Sequence, residues 1–389
     1  MRDPASTTQA HRMGLGRKRR DGTPLCRAVR LRAAVLCVLL GLGLAVAGYP
    51  EFFWGIVQQA FPAARQGTAS LPPDLLLRTA EAAHARGNYE ASVQLHTLLV
   101  TQHPGHPLAE HALVMRFQAL AILERPEAMR HTVEQLRVLF PRSEMIPNLL
   151  ADLGVRHFHD GEYDQAARCY TDLVGVVTRY ERISGAAEDT GPPRELTPAT
   201  RRKLHNAKQA RLAQRTEMER LGRFNLALCH DRSGKRNAAL RAYDRFVRRF
   251  PADARSPEAW FRMGVLQLKA RRPEVAVDHF AKVWRTDPAP RDFKVAAIYK
   301  GGRCLEGLRR RDEAREVYRL ALELAPRDDA WRLASLTRLA ILLREPEPLR
   351  ALEVYRDLAE NSAHSVRRAV VQQHLIELQS ESAIASVQR

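Results

Sequence analysis

Cysteine is scarce in this chain and carries no pattern. The five are Cys26, Cys37, Cys169, Cys229 and Cys304, and no two have redox-pair or zinc-finger spacing. Two of them lie in or before an N-terminal apolar run. Three then remain, and at least one of them must stay unpaired, so a disulfide framework is not expected. Cys229 and Cys304 fall at equivalent places inside predicted helices, where a small apolar residue is wanted, so both are expected in the core. Lysine is also scarce: only eight of the 62 basic residues are Lys. Arginine excess of this kind often reflects coding bias and is weak evidence for a phosphate ligand.

Catalytic signatures are missing too. There is no HExxH, GxSxG, Walker A, GxGxxG or EF-hand loop. Ser233-Gly234-Lys235 lacks the preceding glycine loop and sits in an inter-helix turn. His157-Phe158-His159-Asp160 invites a metal reading. Residues two apart on a helix, however, point about 200° apart and cannot chelate one ion together. His103, His106 and His111 scatter around a turn. The expectation is no metal, no cofactor and no enzyme.

What is present is charge, in two blocks. The formal net charge is +18 over 389 residues. Arg2 to Arg32 contributes +7 and Arg201 to Arg249 contributes +11, so the rest is neutral. The first block precedes an apolar stretch, Ala33 to Gly48, without a charge. Tyr49, Phe52, Phe53 and Trp54 follow. Positive charge before an apolar run keeps the N-terminus cytoplasmic and sends the rest across, and amphipathic aromatics favour the far interface. Residues 33–57 are therefore expected to be a single-pass anchor, with the remainder on the periplasmic or extracellular side. The alternative is a signal cleaved near Ala47, after Ala45-Val46-Ala47. Residues 58–73 read as a linker.

The stretch from Ser256 to Pro288 has Trp260, Met263 and Gly264, then Ala276, Phe280 and Val283 at helical spacing, then a closing proline. Similar stretches flank it. One has Leu153-Gly154, Gly161-Glu162-Tyr163, Ala166 and Tyr170; another has Gly302, Ala314, Tyr318 and Pro326. Units at Leu75–Pro104, Pro107–Pro141 and 221–251 fit less closely, and a last one uses Leu336, Ala351 and Tyr355. Closing prolines recur at 37 or 38 residues, as from Pro251 to Pro288 to Pro326. The pattern resembles the tetratricopeptide repeat, a helix–turn–helix unit of about 34 residues.

That resemblance implies an all-α, right-handed solenoid of about seven helix pairs. The N-terminal repeats cover 74–183. A loop follows at 184–198, rich in Pro, Gly and acids, and then a long basic helix with the C-terminal repeats at 199–363. A capping helix and tail close the chain at 364–389. The long period and the Phe-Pro corners are similar to repeats of bacterial envelope-assembly proteins.

Such a solenoid offers a concave groove lined by the first helix of each pair. In this family one inward position follows the aromatic slot. Here Leu77, Val114, Ala151, Phe224, Phe261, Tyr299 and Leu336 occupy it, with Arg303 one turn beyond Tyr299. The series lacks the Lys and Asn with which chaperone-binding members clamp a carboxylate. It suits an apolar partner segment; neighbouring helices filling the same positions is the competing account. The basic helix offers a second surface through Arg201, Arg202, Lys203, Lys208, Arg211 and Arg215. A solvated face is its plain reading, and an acidic partner or anionic membrane the functional one. Nucleic acid is disfavoured by the predicted export and by the missing aromatic interleaving. The leading expectation is a membrane-tethered scaffold for other proteins. The alternative is a soluble or cytosol-facing regulator that holds nucleic acid or acidic partners through 199–220.

Overall fold

A computed structural model describes residues 71–187, 197–287, 290–324, 329–361, 371–374 and 376–377. Helices run in pairs along it. They are α1 (Pro73–Ala85) and α2 (Tyr89–Gln102), α3 (Pro107–Ile122) and α4 (Pro126–Leu139), α5 (Ile146–His159) and α6 (Tyr163–Ala187), α7 (Pro198–Arg232) and α8 (Arg236–Arg249). Then come α9 (Ser256–Lys269) and α10 (Pro273–Arg285), α11 (Arg291–Gly307) and α12 (Arg311–Leu324), α13 (Ala330–Leu343) and α14 (Pro348–Asn361). The predicted anchor at 33–57 lies outside these residues. Among the described residues no helix is long and apolar enough to cross a membrane.

The local rules that start these helices are visible. Proline stands in the first turn of α1, α3, α4, α5, α7, α9 and α10, where its missing N–H has no intrahelical partner. The Asn88 side chain accepts from Ala91 N at 3.2 Å, and Asp329 accepts from Arg332 N at 2.8 Å.

Within a pair the recurring contact is a small residue against an aromatic one. A Cβ placed on Gly264 would come 2.7 Å from the Phe280 ring, and one on Gly154 would come 2.9 Å from Tyr170. Gly302 meets Tyr318 in the same way. Only a bare Cα lets the two helices approach this closely. Phe280, Tyr170 and Tyr318 are almost wholly buried there, each contributing about 2–3 kcal/mol of apolar burial. Cys169, Cys229 and Cys304 are buried.

The chain divides into two compact units, one ending at Pro141 and the other beginning at Arg142. The first contains the pairs α1–α2 and α3–α4, with α1 also packed on α3. The second contains the other five pairs. In it first helices pack on first helices, α5 on α7, α9 on α11 and α11 on α13, while second helices hand on to the next pair. Val371 is buried in the last core cluster, beside Tyr355 and Leu358. Of the segment 364–389, expected to cap the repeats, residues 371–374 and 376–377 are described, and they are helical.

The 184–198 region differs from expectation. Residues 184–187 are not loop but the end of α6, and α7 begins at Pro198 after its N-cap Thr197. α6 and α7 are long because they pair closely. A Cβ on Gly222 of α7 would touch Val174 and Leu173 of α6 at 3.0–3.3 Å. α7 has 35 residues, about 52 Å at 1.5 Å per residue. Its second half is a repeat helix. Residues 197–214, its first half, are exposed at every position.

Candidate functional site

The groove series separates once its burial is known. Leu336 has 0% exposure and belongs to the core around Tyr318, Leu339 and Tyr355. Phe224 is 6% exposed, its ring 5.4 Å from Phe246 and 6.0 Å from Tyr243. These two were expected to line a groove and instead fill the interior. Phe224 faces its own second helix, and both side chains are where apolar area is better removed from water than left at the surface. Val114 and Ala151 are buried as well. Leu77, Phe261 and Tyr299 are half-buried, and Arg303 is exposed.

Around Phe261 a patch of half-buried apolar side chains survives. Its ring lies 5.7 Å from Phe280 behind it and 5.7 Å from Phe293 of α11, both edge-on. Val265 and Leu268 continue the patch along α9. The helix period places these three on one stripe of α9, and α9 packs on α11, so Phe293 extends the stripe.

The next first-helix junction, α11 with α13, has a different character. Tyr299 rests 5.3 Å from Trp331, tilted by 43°, and Trp331 is 38% exposed. Lys300 Nζ lies 5.3 Å from the centroid of the same indole. Arg303 Nη1 donates to Tyr299 Oη at 3.5 Å, and its Nε stands 3.8 Å from Glu306 Oε1. That carboxylate is already engaged. Oε1 accepts from Arg338 Nε at 3.0 Å and from Tyr318 Oη at 2.6 Å, and Arg338 also holds Oε2. Burial alone would raise the Glu306 pKa. The hydrogen bonds from Arg338 and Tyr318 outweigh it and hold the carboxyl below its ordinary value.

Sequence reasoning reached Tyr299 and Arg303 here but missed Trp331, Lys300, Phe293 and Arg338. The available signal was Trp331 itself, a large aromatic in the first turn of a helix, outside the repeat's core positions.

The basic helix is partly committed to the fold. Arg211 Nε lies 3.4 Å and Arg215 Nη2 3.9 Å from Glu144, just before α5. The Arg215 guanidinium also sits 5.3 Å over the Tyr180 ring of α6. Arg201, Arg202, Lys203 and Lys208 lie on the exposed half. Farther along, Asp253 at the α8–α9 bend pairs with Arg255 at 2.9 Å and with Arg220 at 3.6 Å, tying the middle of α7 to that bend. Desolvation opposes the Asp253 charge, yet the Arg255 hydrogen bonds win and keep its pKa low.

No group of three or more His, Cys, Asp and Glu able to hold a metal occurs among the described residues. His157 is buried with Nδ1 2.6 Å from Glu162 Oε2.

Stacked helix pairs closed by small-to-aromatic contacts define a helical repeat protein. Family models described as tetratricopeptide repeat match residues 223–289 and 296–328 of it. Among solved structures, a crystal structure of MamA protein shares 13% identity at a TM-score of 0.33. The match covers 54% of this chain and 89% of that one. Pseudomonas aeruginosa pilF shares 13% identity at 0.32, covering 67% and 94%. At those scores neither superposition bears on function. No curated protein matches the chain in sequence.

Proposed function

We propose that this chain is a non-enzymatic protein-binding scaffold whose contact surface is the first-helix stripe of the C-terminal repeats. The observation that carries this is the run of half-buried apolar side chains on successive first helices, Phe261, Val265 and Leu268 on α9 and then Phe293 and Tyr299 on α11. Tetratricopeptide repeats typically bind other proteins, and an apolar stripe of this kind takes an amphipathic helix or an extended segment. We further propose that residues 33–57 tether the chain to a membrane, with the repeats on the far side, serving assembly of a bacterial cell-envelope complex. The support for that part is the basic-then-apolar order of residues 2–57.

The test has two arms. A photo-crosslinker at position 265 is placed in wild type and in a Phe261→Ser, Tyr299→Ser variant whose fold is checked by circular dichroism. A defined protein adduct that disappears in the variant supports the surface; the same adduct in both rejects it. Phe224→Ala is unsuitable for this purpose, because Phe224 is core. Reporter fusions after residue 70 test the export part, which cytoplasmic placement would sink. The alternative use of 199–220 for nucleic acid or acidic partners has less support, since Arg211 and Arg215 already hold Glu144.

A further inference from the structure

We infer that Cys169 and Cys229 are a disulfide-forming pair that locks α6 to α7 when the chain meets a disulfide-bearing oxidant. One such bond leaves Cys304 outside it, so it is a single fastening and not a framework. Its use in the cell rests on the export proposed above, because disulfides persist in oxidising compartments outside the cytosol. The pairing itself does not depend on that reading.

Register places the two thiols together. The Arg215 guanidinium sits over the Tyr180 ring, and a Cβ on Gly222 would meet Val174 and Leu173. Lys235 Nζ, just beyond α7, lies 2.6 Å from Asp164 Oδ1. As α7 advances, its partners on α6 retreat, so the two helices run in opposite directions. Cys169 stands midway between Asp164 and Val174, and Cys229 stands midway between Gly222 and Lys235. Two contacts therefore bracket the cysteines and set them at the same level of the seam. The helix period gives their direction. Cys229 comes two turns after Gly222 and Cys169 one turn before Leu173, so each falls on the stripe that meets the other helix. Burial agrees, with Cys229 at 0% exposure and Cys169 at 7%. A disulfide asks for Cα atoms about 4.4–6.8 Å apart, a spacing favoured where a glycine lets two backbones approach. Burial pushes the Cys229 thiol up to about 12, and the next cause is the charge of Cys169 across the seam.

Cys169 is the more exposed of the two and reacts first. Its thiolate attacks one sulfur of the oxidant's disulfide, a mixed disulfide forms, and one oxidant thiolate leaves. The Cys229 thiolate then attacks the Cys169 sulfur, closing the bond and releasing the second oxidant thiolate. The cysteines lose two protons and two electrons, and the oxidant disulfide is reduced to two thiols. A raised pKa keeps the Cys229 thiolate scarce at neutral pH, so closure in the folded chain is slow. The closed loop of chain includes the exposed first half of α7. The bond restricts the unfolded chain and so stabilises the α6–α7 pair.

Glutathione is the probe that tests this. The full chain in detergent is held in a mainly oxidised glutathione buffer at about pH 9, near the ordinary thiol pKa, until its composition is constant. Remaining thiols are then blocked, and the digested chain is read by mass spectrometry. The expected result is a Cys169–Cys229 linked peptide in wild type and in Cys304→Ala, lost on reduction. The oxidised chain should also resist urea better than the reduced one, and Cys169→Ala should show neither effect. Glutathione left on Cys169 without a linked peptide, or either cysteine joined to a different one instead, would overturn the inference. Should Cys169→Ala fail to fold, oxidised and reduced wild type still decide the matter without any substitution. A bond that forms in this buffer but is missing from chain alkylated inside cells would uphold the pair and count against the export reading.

Discussion

The two compact units solve one packing problem with different residues. In the unit from Arg142 onward, the eighth residue of every second helix is an aromatic ring: Tyr170, Tyr243, Phe280, Tyr318 and Tyr355. In the unit before it, the same places hold His96 and Val133. His96 is buried, and its Nδ1 lies 3.3 Å from Ser92 Oγ. Val133 is buried without a ring of its own, and the buried aromatic of that pair is Phe117 on the first helix. The aromatic pairs gain burial with a small polar load. The other unit carries a titratable ring and, close by, a buried Arg116. Arg116 reaches only neutral acceptors, Thr132 Oγ1 at 3.2 Å, Thr97 Oγ1 at 3.4 Å and Gln135. The difference teaches that the repeat's geometry survives the loss of its signature residues, but its sensitivity to solvent conditions does not stay the same.

The largest effect should come from closing the space the aromatic pairs depend on. Gly302→Val would drive a branched side chain into the Tyr318 ring, which has no open side to move toward. Loss of about 3 kcal/mol or more is expected from overpacking, read as earlier urea unfolding and faster hydrogen exchange in α11 and α12. Phe117→Ala in the other unit should cost about as much, roughly 3–5 kcal/mol, through a cavity instead. If Gly302→Val were neutral, the small-to-aromatic contact would not be what sets the helix spacing.

Acid should separate the units next. Burial lowers the His96 pKa from 6.5 to about 4, opposed by its Ser92 hydrogen bond and reinforced by the nearby positive field of His111, His84 and Arg116. The unfolded chain therefore binds this proton between pH 6.5 and 4 while the folded one refuses it. The stability from neutral His96 is complete above pH 6.5 and is lost as pH falls toward 4. By linkage the loss is about 2 kcal/mol at pH 5 and about 3 kcal/mol at pH 4. Hydrogen exchange of α1 and α2 between pH 8 and 5, corrected for intrinsic rates, measures it, and His96→Phe should flatten the dependence. His230 and His279 of the other unit shift in the same direction but are only half-buried. An equal acid response in both units would break the comparison.

The repeats could be read from sequence because their markers are backbone constraints. Gly154, Gly264 and Gly302 name the close approach, and the prolines name the first turns. The long helix from Pro198 was legible for the same reason: Thr197 caps it and nothing before Arg232 breaks it. Residues 184–187 were misread as loop because the glycines, prolines and acids of 184–198 were taken together; 184–187 hold one glycine and two alanines but no proline or acid. They are the small residues that end α6, whose earlier turns lie along α7. The site was harder. Whether Phe224 or Phe261 faces water depends on how far each helix rolls against its partner, and periodicity leaves that roll undetermined within about one residue. Trp331 stood out only as an aromatic off the core pattern, and Lys300 not at all, because their meaning lies in a contact between helices thirty residues apart.

The smallest effect should fall where the two units do not differ at all. Six of the inter-helix turns carry one residue in the left-handed region: Gly87, Glu124, Gly161, Gly234, Arg271 and Arg309, with φ between 57° and 79°. Each turn closes by the same bond, from the next residue's N–H to the carbonyl five back. Examples are Asn88 to Ala83 at 3.0 Å, Arg125 to Leu120 at 3.0 Å and Arg310 to Leu305 at 2.9 Å. This is the αL helix stop, and the bond fixes φ whatever the side chain. A Cβ in that region costs about 1 kcal/mol. Gly161→Ala should therefore destabilise by about 1 kcal/mol, although nothing lies within 4 Å to clash with the new methyl. Arg309→Gly should gain roughly half of that, because glycine's extra freedom in the unfolded chain offsets part of the relief. Thermal melts of the two variants with wild type would show opposite signs. Matching signs would mean that side-chain contacts at the turn, such as those of Arg309, and not φ, decide the balance.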